Sequence, residues 1–390
     1  MNILMLSIDR NIFDENSAVR QRMFSYGTLV NELHIIILNK DNPKPKVGQG
    51  TEDHFKKKTK IANNVWVYPT NSSSKFRYFF DAIKIAIRIK EIDLVTAQDP
   101  YETGFIAWRI AKKLNSKLEL QIHTDLFNIY FIKHSFSNRI RSLIAKFLLP
   151  KADHIRAVSK RIKLSLSKKL QEKTTVLPIF VDTVFIHQKT SDLDLHKDYP
   201  RFKFIILIMS RLEKEKNISI AVETMKEIVR VFPKTGLIIV GKGSMKKTLR
   251  KQARRTGLEE NIIFKRWAND PISYFKSADL FLSTSDYEGY GLSLVEAIIS
   301  RCPILTTKVG IVGELLNSNN SLLCDVGDKE CLVDNIIRAQ QHPETLSEFK
   351  EKAYADFIQK IPQIKNEYLK NLQKIWEGVV NLPVDRYDNK

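Results

Sequence analysis

Apolar runs of strand length alternate with helical stretches along the whole chain, and that alternation leaves few folds open. Ile3–Ile8, Ile35–Leu38, Val65–Tyr68, Leu94–Ala97, Leu118–Ile122 and Ile155–Val158 read as strands in the first half. The second half repeats the pattern with Phe204–Met209, Leu237–Val240, Ile262–Phe264, Leu280–Ser283, Ile304–Thr306 and Leu322–Cys324. Between them lie helical stretches such as Phe76–Ile89, Thr103–Leu114 and, later, 217–231, 244–256, 271–277, 292–300 and 328–341. Strands that are apolar throughout are buried on both faces, which predicts parallel sheets covered by helices on each side. The expected class is α/β, with two doubly wound, Rossmann-like domains facing a central cleft.

A chain of 390 residues exceeds what one core ordinarily supports. The polar, aperiodic stretch 184–202 reads as the linker. This gives domains at 1–183 and 203–353 and a tail, 354–390, whose Tyr354–Val380 stretch is amphipathic and helical. No apolar run approaches the roughly 20 residues of a membrane-spanning helix, and the N-terminus reads as a buried first strand, not a signal peptide. The three cysteines, Cys302, Cys324 and Cys331, have no metal-ligand spacing and read as structural in a reducing cytoplasm.

Charge is unevenly placed. Residues 1–183 hold 31 Lys and Arg against 17 acids, which leaves +5 of the net +19 for the rest. The first domain therefore faces something anionic: a phospholipid leaflet, a lipid-phosphate acceptor or nucleic acid. Pieces of chemistry cluster in the second domain. After the strand ending at Ser283, the run Ser285-Asp286-Tyr287-Glu288-Gly289-Tyr290-Gly291 leads into a helix near Leu292. A helix start offers free N–H groups and a positive dipole end, which suit a phosphate. Gly289 and Gly291 allow close backbone approach, Glu296 is placed for ribose hydroxyls, and Glu288 for a sugar. Arg211 and Lys216 follow the first strand of the same domain, where two cations can neutralise a departing diphosphate. Gly241-Lys242-Gly243 either lines the same cleft or merely turns the chain.

The run from Ser283 to Thr306 resembles the Glu-x7-Glu motif of family 4 glycosyltransferases, carried here by Glu288 and Glu296. Arg211…Lys216 resembles that family's Gly-Arg-Leu…Glu-Lys-Gly motif, with Ser210 in place of the glycine. Val240-Gly241-Lys242-Gly243, Ile263–Trp267, Ala278-Asp279-Leu280 and Gly310…Gly313-Glu314 match in the right order, as do Ala152–Ser159 and Leu177–Asp182 in the first half. The resemblance implies a GT-B fold whose last helix crosses back to the first, acceptor-binding domain. It implies transfer of a sugar from a nucleotide-diphosphate sugar to a polysaccharide or glycolipid hydroxyl, with retention of configuration and no metal or other cofactor. Arg211 and Lys216 would hold the diphosphate, the Gly291, Leu292 and Ser293 amides would meet phosphate, Glu296 would take the ribose, and Glu288 the donor sugar. Trp267 would border the base. The first loop, Ser7–Arg20, lacks the family's glycine pair.

In the first domain, His123 ends a strand at a position matching a family histidine near donor sugar and acceptor. Asp125 and Asp99 are further acceptor-side candidates. Asp192-Leu193-Asp194 is a formal Asp-x-Asp, but it lies in the linker and is not read as a metal site. Residues 133–173 hold twelve Lys and Arg and two acids. Within them Ile140, Leu143, Ile144, Phe147 and Leu148 share a helical face, expected to pack on the parent sheet beneath a solvated basic back. Lys75, Arg77, Lys84, Arg88 and Lys90 extend the basic surface, which suits peripheral contact with an anionic membrane at the inner face of the cell membrane. Two other readings compete: a nucleotide-sugar epimerase on the same fold, and a basic nucleic-acid binder, for which no motif is present.

Overall fold

A computed structural model describes residues 1–41, 58–183, 186, 193–267, 270–362 and 364–383. Its frame is set by the apolar runs, each of which pairs with another in parallel. In the first lobe these are β1 (Asn2–Ser7), β2 (Glu32–Ile37), β3 (Thr59–Ala62), β4 (Val65–Pro69), β5 (Leu94–Ala97), β6 (Lys117–Ile122), β7 (His154–Ala157) and β8 (Thr174–Val176). They form one sheet in the order β3-β4-β2-β1-β5-β6-β7-β8. Only β3 runs antiparallel, paired with β4. β3 and β8 are short and were not distinguishable by apolar content, since Thr59-Lys60 and Thr174-Thr175 are polar.

The second lobe contains β9 (Phe204–Met209), β10 (Thr235–Val240), β11 (Ile262–Lys265), β12 (Leu280–Ser283), β13 (Ile304–Thr307) and β14 (Leu322–Cys324). Their order, β11-β10-β9-β12-β13-β14, is that of a doubly wound dinucleotide-binding sheet, and every pairing is parallel. One apolar cluster runs from Leu4 and Leu120 of the first lobe through Leu207, Tyr290 and Leu294 of the second. The lobes also meet through hydrogen bonds: Ser159 Oγ to the Gly289 carbonyl at 2.8 Å, the Lys160 amide to Glu314 at 2.8 Å, and Arg161 to the Val312 carbonyl at 3.0 Å.

The tail differs from the single helix expected over 354–380. Two helices, Pro343–Lys360 and Lys365–Val380, are separated by a short break. The second crosses to the first lobe, contacts β5 and β6, and buries Leu372 and Trp376 there. Cys324 and Cys331 are paired as a disulfide with Cα atoms 5.8 Å apart, a pairing the odd cysteine count did not suggest. Cys302 is free and buried. Asp192 lies outside the described residues, and Asp194 caps the short helix Leu195–Asp198 by accepting from the His196 and Lys197 amides.

Candidate functional site

In a doubly wound sheet a ligand crevice opens where the strand order reverses, here between the C-terminal ends of β9 and β12. The two loops that leave those ends line one cleft of about 440 Å3, closed on the first-lobe side by His123, Thr124 and Ile179. Arg211, Lys216, Trp267, Glu288, Gly291, Leu292, Ser293 and Glu296 all line it. Residues 80 positions apart in sequence are thus brought to one wall by topology alone.

Both cations in the cleft have acidic partners. Lys216 Nζ bonds Glu288 Oε1, and Ser285 Oγ donates to the same oxygen at 2.9 Å. Arg211 Nη2 donates to Glu215 Oε1 at 2.8 Å. The loops are stitched together: Thr284 Oγ1 donates to the Lys216 carbonyl at 2.9 Å, and Asn217 Nδ2 to Asp286 Oδ1 at 2.9 Å. An anion entering the cleft meets two positive charges in a fixed scaffold and has only to displace carboxylates from them.

On the same cleft the helix Leu292–Ile299 begins. Gly291 stands at its N-cap with φ +91°, a left-handed conformation suited to glycine, and offers no side-chain cap. The first intrahelical amides to bond the Gly291 carbonyl are those of Leu294 and Val295, so the Leu292 and Ser293 amides stay available at the positive dipole end. One turn on, Glu296 has no donor beside it. Burial alone raises its carboxyl pKa to about 7. An unpaired carboxyl buried against a cleft is costly for folding and useful for accepting ligand hydroxyls.

The glycines divide by role. A Cβ on Gly289 would lie 1.8 Å from the His123 carbonyl oxygen, so this glycine serves close approach to the other lobe, not to a phosphate as expected. Gly241 and Gly243 do not line the cleft. Side chains there would strike the backbone of Ser210 and Leu212, so this Gly-x-Gly lets the β10 loop support the one carrying Arg211.

The acceptor-side candidates separate. His123 opens onto the cleft. Asp99 does not: its carboxylate accepts from the Tyr101 and Thr103 amides and the Thr103 hydroxyl, anchoring the start of the helix Glu102–Leu114. Asp125 is buried away from the cleft, with burial raising its pKa against the field of Arg161. The glycine-free first loop forms a 3-10 turn, Arg10–Phe13, that buries Ile12 and Phe13 and lines no part of the cleft. Glu215 and Tyr287, not singled out by sequence, also line it. Tyr287 packs edge-on against Phe131 across the lobes, 5.3 Å between centroids. The Arg211–Glu215 spacing of four was the available signal for the first; only topology reveals the second. Among the described residues, no group of three or more His, Cys, Asp or Glu side chains is arranged to hold a metal ion.

Outside the cleft, the helix Phe136–Leu148 departs from expectation. It buries Asn138, Ser142, Ala145 and Leu148, while Ile140, Leu143 (64% exposed) and Phe147 face outward. Rings of Phe80, Phe79, Phe105, Trp108 and Phe147 contact one another in series across three helices. Phe76 (90% exposed) and Phe136, at the starts of two of these helices, are also exposed, and Lys151 and Arg109 lie over rings of the series.

Comparison with known proteins gives the same direction at both ends of the chain. The model "Glycosyl transferases group 1" matches residues 196–356, and "Glycosyltransferase Family 4" matches residues 32–185. The chain is 30% identical over 178 residues to the poly(glycerol-phosphate) alpha-glucosyltransferase of Bacillus subtilis, covering 44% of this chain and only 26% of that protein. It is 23% identical to the alpha-monoglucosyldiacylglycerol synthase of Acholeplasma laidlawii, over 81% of this chain and 83% of that one. In fold it is similar to Anabaena HepE solved with UDP (TM-score 0.71, 18% identity, 97% and 100% covered). It is also similar to sucrose-phosphate synthase from Thermosynechococcus elongatus (TM-score 0.78, 15% identity, 97% and 99% covered). The architecture is GT-B.

Proposed function

The chain belongs to the group 1, family 4 glycosyltransferases, and on that premise we propose that it moves a hexose from a nucleotide-diphosphate sugar to a hydroxyl of a glycolipid or surface polysaccharide, with retention and without a metal. The observation that carries this reading is the convergence of Arg211, Lys216, the uncapped helix start after Gly291 and the unpaired Glu296 on one cleft between the lobes.

Breaking a sugar–phosphate bond moves negative charge onto the leaving diphosphate. Arg211, Lys216 and the Leu292 and Ser293 amides meet that charge where it develops, which lowers the barrier by stabilising the transition state more than the ground state. Glu296 accepts from the ribose hydroxyls. Glu288, freed from Lys216 as phosphate replaces it, turns to the donor sugar, and His123 faces the sugar from the other lobe. Uridine diphosphate sugars are the first donors to test, because the fold neighbour HepE was solved with UDP and with UDP-glucose.

The acceptor side is supported by surface chemistry. The aromatic band and its cations form an amphipathic face on the lobe of higher positive charge, and this reading seats that face on an anionic leaflet, where a lipid-linked acceptor resides. The relatives named as an alpha-monoglucosyldiacylglycerol synthase and a poly(glycerol-phosphate) alpha-glucosyltransferase support an acceptor of this kind. The test is donor turnover with diacylglycerol-type and phosphate-polymer acceptors in excess chelator, with the product anomer read by NMR. The expected outcome is an α-linked product from an α-linked donor, undiminished by chelator, and lost by at least about 100-fold in Lys216→Ala. Turnover that requires added magnesium, or wild-type turnover in Lys216→Ala, would refute the clamp.

A further inference from the structure

The cleft's first-lobe wall rests on an unusual piece of sheet. Side chains alternate along a strand, so Lys117, Glu119, Gln121 and His123 point to one side of β6 and its end. Thr96 of β5 and His154 and Arg156 of β7 join them. The helix Lys365–Val380 packs against β5 and β6. Buried parallel strands are ordinarily apolar there, yet Glu119 is wholly buried. Burial pushes its carboxyl up, but Arg156 at 3.5 Å and a hydrogen bond from His154 at 3.2 Å outweigh that and hold it down at about 2.

An ionised carboxylate only accepts hydrogen bonds. The Thr96 hydroxyl donates its one proton to Glu119 Oε1 at 2.9 Å. Thr96 Oγ1 can then only accept, so the Gln121 amide turns its NH2 toward it, at 2.9 Å. The Gln121 carbonyl is left facing His123 Nε2 at 3.1 Å. A carbonyl cannot donate, so Nε2 carries the proton. Desolvation against the cleft floor, with the Arg156 and Arg22 charges, lowers the ring's pKa and so favours its neutral form. A neutral ring with its proton on Nε2 has a bare Nδ1.

We propose that Gln121 is a positioning residue: the chain Glu119–Thr96–Gln121 locks His123 in the tautomer whose bare Nδ1 accepts a hydrogen bond from a sugar hydroxyl in the cleft. The identity of that hydroxyl rests on the glycosyl-transfer reading above; the tautomer does not. The lock also says what His123 is not. It neither donates to the diphosphate nor adds a positive charge to the clamp. It explains why an ion cluster sits in the middle of a buried sheet: its charge is used to orient an amide two steps away.

Selective 15N labelling of the eight histidines tests it, with His123 assigned by the loss of its signals in His123→Asn. Long-range 1H–15N correlations report which nitrogen is protonated. The expected result is the Nε2–H tautomer from pH 6 to 8 in the wild type. Gln121→Leu is expected to shift His123 to a mixture of tautomers and to cut kcat roughly tenfold, with KM for the donor little changed. Thr96→Val, which keeps Gln121 but frees its amide to flip, is expected to give the same spectral change and serves if Gln121→Leu folds poorly. An Nδ1–H tautomer in the wild type, an unchanged tautomer in both variants, or a shifted tautomer with unchanged kcat would each overturn the proposal. If no donor turns over even in the wild type, the functional reading fails while the spectra still decide the lock.

Discussion

At the scale of single residues, Glu296 carries the sharpest consequence. Its carboxyl titrates near 7 because burial disfavours the charge and nothing nearby restores it. Ribose hydroxyls donate hydrogen bonds, so they favour the carboxylate. Nucleotide binding should therefore be tightest above pH 7 and weaken as the pH falls through it, by at most about tenfold per pH unit for one proton. The diphosphate also titrates in this region, so the quantity to measure by calorimetry is the difference between wild type and Glu296→Gln. That variant should bind weakly with a flatter pH profile. The sign for stability is opposite. A carboxyl with a raised folded-state pKa costs the fold stability as pH rises from its unfolded value through about 7. Glu296→Gln should thus melt no lower than wild type at pH 8, and lose any advantage toward pH 5. A lower melting temperature at pH 8 would mean that Glu296 is a structural residue. The motif residues were legible because they lie within a few positions of one another after strands. Glu119, Thr96 and Gln121 were not, because polar residues in apolar strands carry no sign of their partners until the strand order is known.

At the scale of elements, most strands and helices of the second lobe could be read directly, several to the residue, such as Phe204–Met209 and Leu280–Ser283. Double-sided burial leaves unbroken apolar runs, and that signal is local. It failed where burial depends on neighbours. The apolar face of Phe136–Leu148 was assigned to the sheet because apolar faces usually are buried, but only Leu148 of it is buried and Ile144 partly so, while the other buried positions are Asn138, Ser142 and Ala145. The loop 284–291 shows the same limit. Its glycines suggest phosphate contact, yet Gly289 is there because the His123 backbone fills the space a side chain would need. Gly289→Ala should therefore act on the seam between lobes: the loop carrying Glu288 would be pushed back, lowering kcat roughly tenfold or more while the isolated secondary structure persists. Circular dichroism and steady-state kinetics on the one variant check both halves of that expectation. Unchanged kinetics would mean that the lobes do not meet this way during turnover.

At the scale of the molecule, the two lobes divide the work by charge. The first carries the larger share of the net +19 and the exposed aromatic band, while the second holds the cleft's phosphate-sized cluster of positive groups. Long-range charge brings a surface to an anionic leaflet, and rings that slip among headgroups keep it there, so the two contributions answer differently to salt. Wild-type protein should float with anionic vesicles at low ionic strength and only weakly with neutral ones. Replacing Phe76, Phe80 and Leu143 together by serine should leave the low-salt attraction largely in place but abolish the fraction that survives about 0.5 M salt, where charges are screened within a few ångströms. These positions are 90%, 66% and 64% exposed, so the folded core should tolerate the change, and thermal unfolding verifies that. If wild type does not float at low salt, or if the triple variant floats as well as wild type at high salt, the band is not what meets the membrane. If wild type does not float under either condition, the cleft would have to find its acceptor in solution, which would point the enzyme toward a dissolved polymer and away from a lipid.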